Sequence, residues 1–150
     1  MEAYIISLMG WIGIYSPVAL AAIGSSVGCT IAGKAACGAI LEVDGGYGRY
    51  IGLSDLPSSI VIYGMVIMFA LNRPVSPATS PGLFGVGILV AIALLYIAVL
   101  QGQCCAAAIN ASKGKPAIFG ISVTPAAIVE GFAVFAFVFA LIVSGAIPKG

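Results

Sequence analysis

The chain has 150 residues, 61% of them hydrophobic and 7% charged, with a formal net charge of +1. A soluble domain carries about a quarter charged residues, so this chain cannot present an ordinary wet surface and takes lipid as its solvent. The near-neutral charge gives no footing for a nucleic-acid partner, and the lack of histidine and of any Cys-x-x-Cys spacing argues against a zinc or redox centre.

The N-terminus carries Glu2 where a signal peptide has a basic region, so the first apolar stretch is expected to be a retained span. No charge occurs from Ala3 to Gly33. A helix crossing hydrocarbon needs about 20 apolar residues, so this stretch predicts one long helix over about residues 6–42, its end projecting into water. It is rich in small residues: Gly24, Ser25, Ser26, Gly28, Ala32, Gly33, Ala35 and Ala36. A second, shorter helix is expected over 54–72, after a charged loop at 43–53. The chain then turns through Pro74–Gly82 and spans again over 83–112, ending in the run Ala106-Ala107-Ala108-Ile109-Asn110-Ala111. The fourth helix is expected over 117–146. The four cysteines, Cys29, Cys37, Cys104 and Cys105, all fall in small-residue helical stretches and read as packing residues. Backbone polar groups in lipid must pair internally, so helices are the default, and no alternating barrel pattern competes.

The fold class is therefore all-α and membrane-spanning, with four helices in one domain: a first hairpin over about 1–72 and a second over about 83–150. Both termini lie on one side of the membrane. Lys34, Arg49, Lys113 and Lys115 flank the hairpin loops, against Arg73 and Lys149 near the termini and middle loop. This bias places the hairpin loops in the cytoplasm.

The hairpins read as a duplication. At an offset of 68, the segment from Leu56 to Ile62 falls on that from Thr124 to Glu130, matching Pro57 with Pro125, Ile60 with Ile128 and Val61 with Val129. The first and third helices align at an offset of 76, Cys29 with Cys105 and Ala32 with Ala108. The eight-residue difference predicts a longer first hairpin loop. Ile62 stands where Glu130 stands in the second hairpin. Small side chains let helix backbones approach closely. With Phe132, Phe135, Phe137 and Phe139 on the fourth helix, the pattern fits either ordinary packing in one bundle or a ring with a tight inner wall.

Glu130 is the one carboxylate deep in a span. Hydrocarbon disfavours its charged form, and no Lys or Arg lies at a similar depth to pair with it. Facing lipid it would stay protonated; facing a polar channel or an arginine it would ionise. That is the physics of a carrier that loads and unloads one ion, although a buried hydrogen-bond donor is the simpler alternative. From the turn near Lys115, Gln101 lies about 14 residues back and Glu130 about 15 forward, each roughly 21–22 Å at about 1.5 Å per residue. The two can meet, while Gln103 points to another face. On the second helix Ser59 and Tyr63 share a face, and Pro57 disturbs the turn so that the Leu56 carbonyl is expected to be free to ligate.

The chain resembles the proteolipid subunit, called c or K, of V-type and V/A-type rotary ATPases. The resemblance rests on Gly24-Ser25-Ser26-Val27-Gly28, on Leu56-Pro57-Ser58-Ser59 with Tyr63-Gly64, on Leu100-Gln101-Gly102-Gln103 and on Ile128-Val129-Glu130-Gly131. It covers nearly the whole chain. It implies a ring of identical subunits in lipid, a stator membrane subunit whose arginine attracts ionised Glu130, and a central-stalk subunit at the cytoplasmic hairpin loops. ATP would be handled by a separate head, since this chain has no phosphate-binding loop. Sodium-carrying members resemble this chain at Leu56, Ser59 (a Thr there), Tyr63, Gln101 and Glu130, but carry a Gln where this chain has Ile60. Sodium wants several oxygens, so the implied cargo is a proton, with sodium at the same residues as the alternative; no resident metal or cofactor is expected. A bacterial plasma membrane is expected over a eukaryotic endomembrane, since the fourth helix departs from the organellar pattern. Two rival readings are a small proton-coupled four-helix exporter and a structural tetraspan protein.

Overall fold

The computed structural model describes residues 2–148. Lys149, counted above on the terminal side, lies outside them. Helix α1 runs Glu2–Glu42, α2 Tyr47–Asp55, α3 Ser59–Leu71, α4 Ser80–Gly114, α5 Phe119–Ser122 and α6 Thr124–Ser144. Short 3₁₀ turns at Leu56–Ser58 and Pro116–Ile118 join α2 to α3 and lead into α5. Grouped by continuity, these make four candidate spans: Tyr4–Glu42, Tyr47–Leu71, Ser80–Gly114 and Pro116–Ser144. No strand occurs among the described residues.

Two boundaries differ most from the sequence expectation. The segment expected to be a loop over 43–53 is loop only to Gly46, whose φ of 71° suits glycine. From Tyr47 the chain is already helical, and Tyr50, fully buried, anchors it. Its charges lie on a helix end continuous with the second span. The eight-residue offset therefore arises differently. In the matched register α1 runs four residues past the end of α4, and most of the rest is loop. The turn after Arg73 also closes earlier than Gly82. Ser76 and Thr79 bond each other, the Thr79 hydroxyl donates to the Pro74 carbonyl at 2.9 Å, and α4 starts at Ser80. Pro81 sits in its first turn, where a missing N–H costs nothing.

Glycine dictates how the long helices meet. A Cβ on Gly87 would run into the Gly13 carbonyl, and one on Gly102 into the Gly28 carbonyl. At these two levels α1 and α4 touch backbone to backbone, the close approach that small residues permit in lipid. Pro17 leaves the Gly13 carbonyl without its usual helical partner, and the Ser16 hydroxyl donates to it at 3.3 Å. Helix α3 packs on α1 where Gly64 lies on Pro17 and Ala21. Helix α6 turns Ala126, Ala133 and Ala140, spaced by seven, into the bundle. Phe132, Phe135 and Phe139 point outward, each about 60% exposed. On α1 an outward stripe of Tyr4, Leu8, Trp11 and Tyr15 is likewise uncovered.

The ends of the bundle are distinct. At one end the two hairpin turns meet: Lys113 Nζ lies 2.8 Å from Glu42 Oε1, and Tyr50 meets Phe119 edge-on with ring centroids 6.4 Å apart. Arg49 lies over both rings and donates to the Tyr50 hydroxyl at 2.8 Å. At the other end Arg73 donates to the Ala70 and Ile147 carbonyls, and Val75 lies against Gly10. The termini and the middle loop thus share one end and the hairpin turns the other. Helices α1 and α4 form the central pair, with α3 and α6 laid over them.

Candidate functional site

Span two does not run straight. Pro57 cannot donate a backbone hydrogen bond, and the chain tightens into the 3₁₀ turn Leu56–Ser58 before continuing as α3. Span four breaks at the equivalent place, where α5 ends at Ser122 and α6 begins at Thr124 with Pro125 in its first turn. Each hairpin's second helix is re-aimed just before the segment that faces its neighbour.

Beyond these breaks three side chains converge on one carboxylate. The Ser59 hydroxyl lies 3.0 Å from Glu130 Oε1, and the Tyr63 hydroxyl 3.4 Å from the same oxygen. Gln101 Nε2 lies 3.4 Å from Oε2. The donors come from α3 and α4, the acceptor from α6, so both hairpins build the site. Gln101 is fully buried and Glu130 half-buried. Ile128 and Phe132, flanking Glu130 on α6, are exposed, so the carboxylate sits at the rim of the bundle. Tyr63 is steadied by Phe137, with ring centroids 5.4 Å apart. Among the described residues Glu130 forms no ion pair; the one salt bridge there joins Lys113 to Glu42 at the bundle end.

Leu56 enters differently from the expectation. Its carbonyl is not left open by Pro57: it accepts both the backbone N–H and the hydroxyl of Ser59, the latter at 2.9 Å. Leu56 is therefore joined to Glu130 through Ser59, whose hydroxyl lies within bonding distance of both oxygens. A hydroxyl has one proton, so it can donate to the carboxylate or to the carbonyl but not fully to both.

Two further features were not legible as part of a site. Gln101 Oε1 is buried without a hydrogen-bond donor. An unpartnered acceptor in apolar surroundings is costly, and it stands on the amide that already touches Glu130. Ser25, read in the sequence only as a small packing residue, donates across helices to the Pro57 carbonyl at 2.7 Å. Gln103 is exposed on another face of α4. Ile62, the positional twin of Glu130, is 58% exposed on the outside of α3, and Ile60 is fully buried in the core.

A sequence model describing the C subunit of ATP synthase matches residues 12–71 and, a second time, residues 84–143. The chain belongs to the ATP synthase C-subunit family. The two matches are 72 residues apart, midway between the offsets of 68 and 76 that relate the two halves, so each hairpin is one copy of the family's unit. Within the family, this chain has two units fused and a membrane carboxylate in the second alone. It is 24% identical over 143 residues to the K subunit of an A-type ATP synthase from Methanocaldococcus jannaschii. The match takes in 95% of this chain and 64% of that relative, which is the longer protein.

Proposed function

We propose that this chain is the rotor-ring subunit of a V/A-type ATPase or ATP synthase and carries protons across the membrane on Glu130. The observation that carries the reading is the convergence of Ser59, Tyr63 and Gln101 on a mid-span carboxylate that has no ion-pair partner among the described residues. Three donors suit the ionised form. A protonated carboxyl also needs an acceptor, and the unpaired Gln101 Oε1 supplies one once the amide turns. The site can thus satisfy Glu130 in both states, which a carrier requires and a fixed structural hydrogen bond does not.

The missing counter-charge belongs to another subunit on this reading. A stator arginine approaching the rim near Ile128 and Phe132 would draw the proton off Glu130 and then release the carboxylate to be protonated again as the ring turns. Protons are favoured over sodium because Ile60 offers no oxygen and the Leu56 carbonyl is already occupied by Ser59. A hard cation needs several oxygens; a proton needs one carboxyl and one acceptor. Identical copies would pack side by side with α1 and α4 inward and the phenylalanine face of α6 outward. The hairpin-turn end would face the cytoplasm and meet the central stalk, in a bacterial plasma membrane. One carboxylate per four helices halves the ions moved per turn relative to one per hairpin, which suits pumping against a steep gradient. The test is transport by the assembled complex carrying Glu130→Gln, which should assemble and fail to move protons.

A further inference from the structure

Side-chain donors gather on the backbone carbonyls at the bend of span two. Ser25 on α1 donates to the Pro57 carbonyl at 2.7 Å, Cys29 one turn later lies 4.0 Å from the Asp55 carbonyl, and Ser59 takes the Leu56 carbonyl. Of these, the Ser25 bond is the shortest and is buried, its residue only 4% exposed. It links positions 32 apart in sequence. Glycines bracket it. Gly24 allows the Leu95 backbone against α1, and a Cβ on Gly28 would come within 2.9 Å of the Pro57 Cβ. The Pro57 ring is thus seated on Gly28 while its carbonyl is held by Ser25. Two residues further on stands Ser59, whose hydroxyl reaches Glu130.

The geometry points to Ser25 as a positioning residue for the ion-carrying carboxylate, acting through the bend at Pro57 to set the direction in which Ser59 meets Glu130. Ser25 touches no reacting atom. The Pro57 carbonyl also receives the Ser59 N–H, so Ser25 adds a second donor there and ties this turn to α1 at 2.7 Å. Any rotation of this turn shifts Ser59 directly, because the Ser59 hydroxyl and N–H are both bonded into it. Ser26, next in sequence, is a built-in control: it is exposed and donates to the Ile23 carbonyl of its own helix.

This role rests on the reading of Glu130 as the carrier, but its test does not require transport. The rate at which a hydrophobic carbodiimide modifies Glu130 in the purified, assembled protein reports how firmly the carboxyl is held. Ser25→Ala, Ser59→Ala, the double variant and Ser26→Ala are compared at one pH. Ser25→Ala and Ser59→Ala should each speed labelling by about threefold to tenfold, the equivalent of one ordinary hydrogen bond. The double variant should label no faster than Ser59→Ala alone, and Ser26→Ala should match the unaltered protein. A purely packing role for Ser25 would leave labelling unchanged or give a double variant whose effect is the product of the two singles; either result overturns the proposal. Proton transport surviving Glu130→Gln would instead sink the carrier reading and leave the labelling result standing.

Discussion

Ser59 and Glu130 are separated by 71 residues in the chain and by 3.0 Å in space. The contact joins the second helix of one hairpin to the second helix of the other, so the carboxylate is held in part by the hairpin that has Ile62 at the matching position. Ser59→Ala should therefore lower proton transport by about fivefold, the effect of about 1 kcal/mol. Tyr63→Phe, which removes a 3.4 Å contact, should cost less. Initial rates of ATP-driven acidification in reconstituted vesicles rank the two; a larger loss for Tyr63→Phe would mean that Ser59 is not the main donor.

Replacing Gln101 separates its two atoms. Gln101→Leu removes both the donor to Glu130 and the unpaired acceptor, while Gln101→Glu keeps oxygen and adds a second carboxyl 3.4 Å away. Two carboxyls at that distance share one proton rather than ionise together. Gln101→Leu should slow transport, and Gln101→Glu should bring a second carbodiimide-reactive position into the chain, read by mass spectrometry of labelled peptides. Single labelling of Gln101→Glu would show that position 101 is out of reach of the proton path.

On the proposed reading, Ile60 is what turns sodium away. The unaltered protein should transport at the same rate across a sodium titration, and sodium should not shield Glu130 from carbodiimide. Ile60→Gln supplies an amide oxygen beside Ser59 and should bring sodium protection into view, at a cost of about 1–3 kcal/mol for placing a polar group where Ile60 is now fully buried. Sodium protection in the unaltered protein would reverse the assignment of its cargo.

The glycine contacts make a paired prediction about stability. Gly28→Ala or Gly102→Ala drives a methyl group into backbone and should destabilise the protein by about 1–3 kcal/mol. Gly33→Ala meets nothing within 4 Å in the monomer and should leave the fold of one chain unchanged. Thermal unfolding in detergent distinguishes them. Equal loss from all three would point to a general intolerance of α1 rather than to the crossing with α4.

Much of this was readable from residues alone, for reasons that differ by feature. Gln101 and Glu130 could be set at one depth because helical rise is fixed and both are counted from the same tight turn at Lys115. The four spans were visible because Lys, Arg, Asp and Glu are so costly in lipid that they mark the ends. The same rule misled over 43–53, where Arg49 and Asp55 sit on a helix that continues into the second span and whose Tyr50 is buried. Pro57 announced a bend, but its closest partners could not be guessed. The Leu56 carbonyl was taken by its own third neighbour, and Ser25 was indistinguishable from packing until the face of α1 opposite the bend was known.

The most direct test of the account is proton uptake driven by ATP in vesicles holding the whole complex with Glu130→Gln in every copy of this chain. The expected result is an assembled ring with no uptake above the passive leak, because glutamine cannot take up and release a proton at this position. Uptake at an undiminished rate would contradict it.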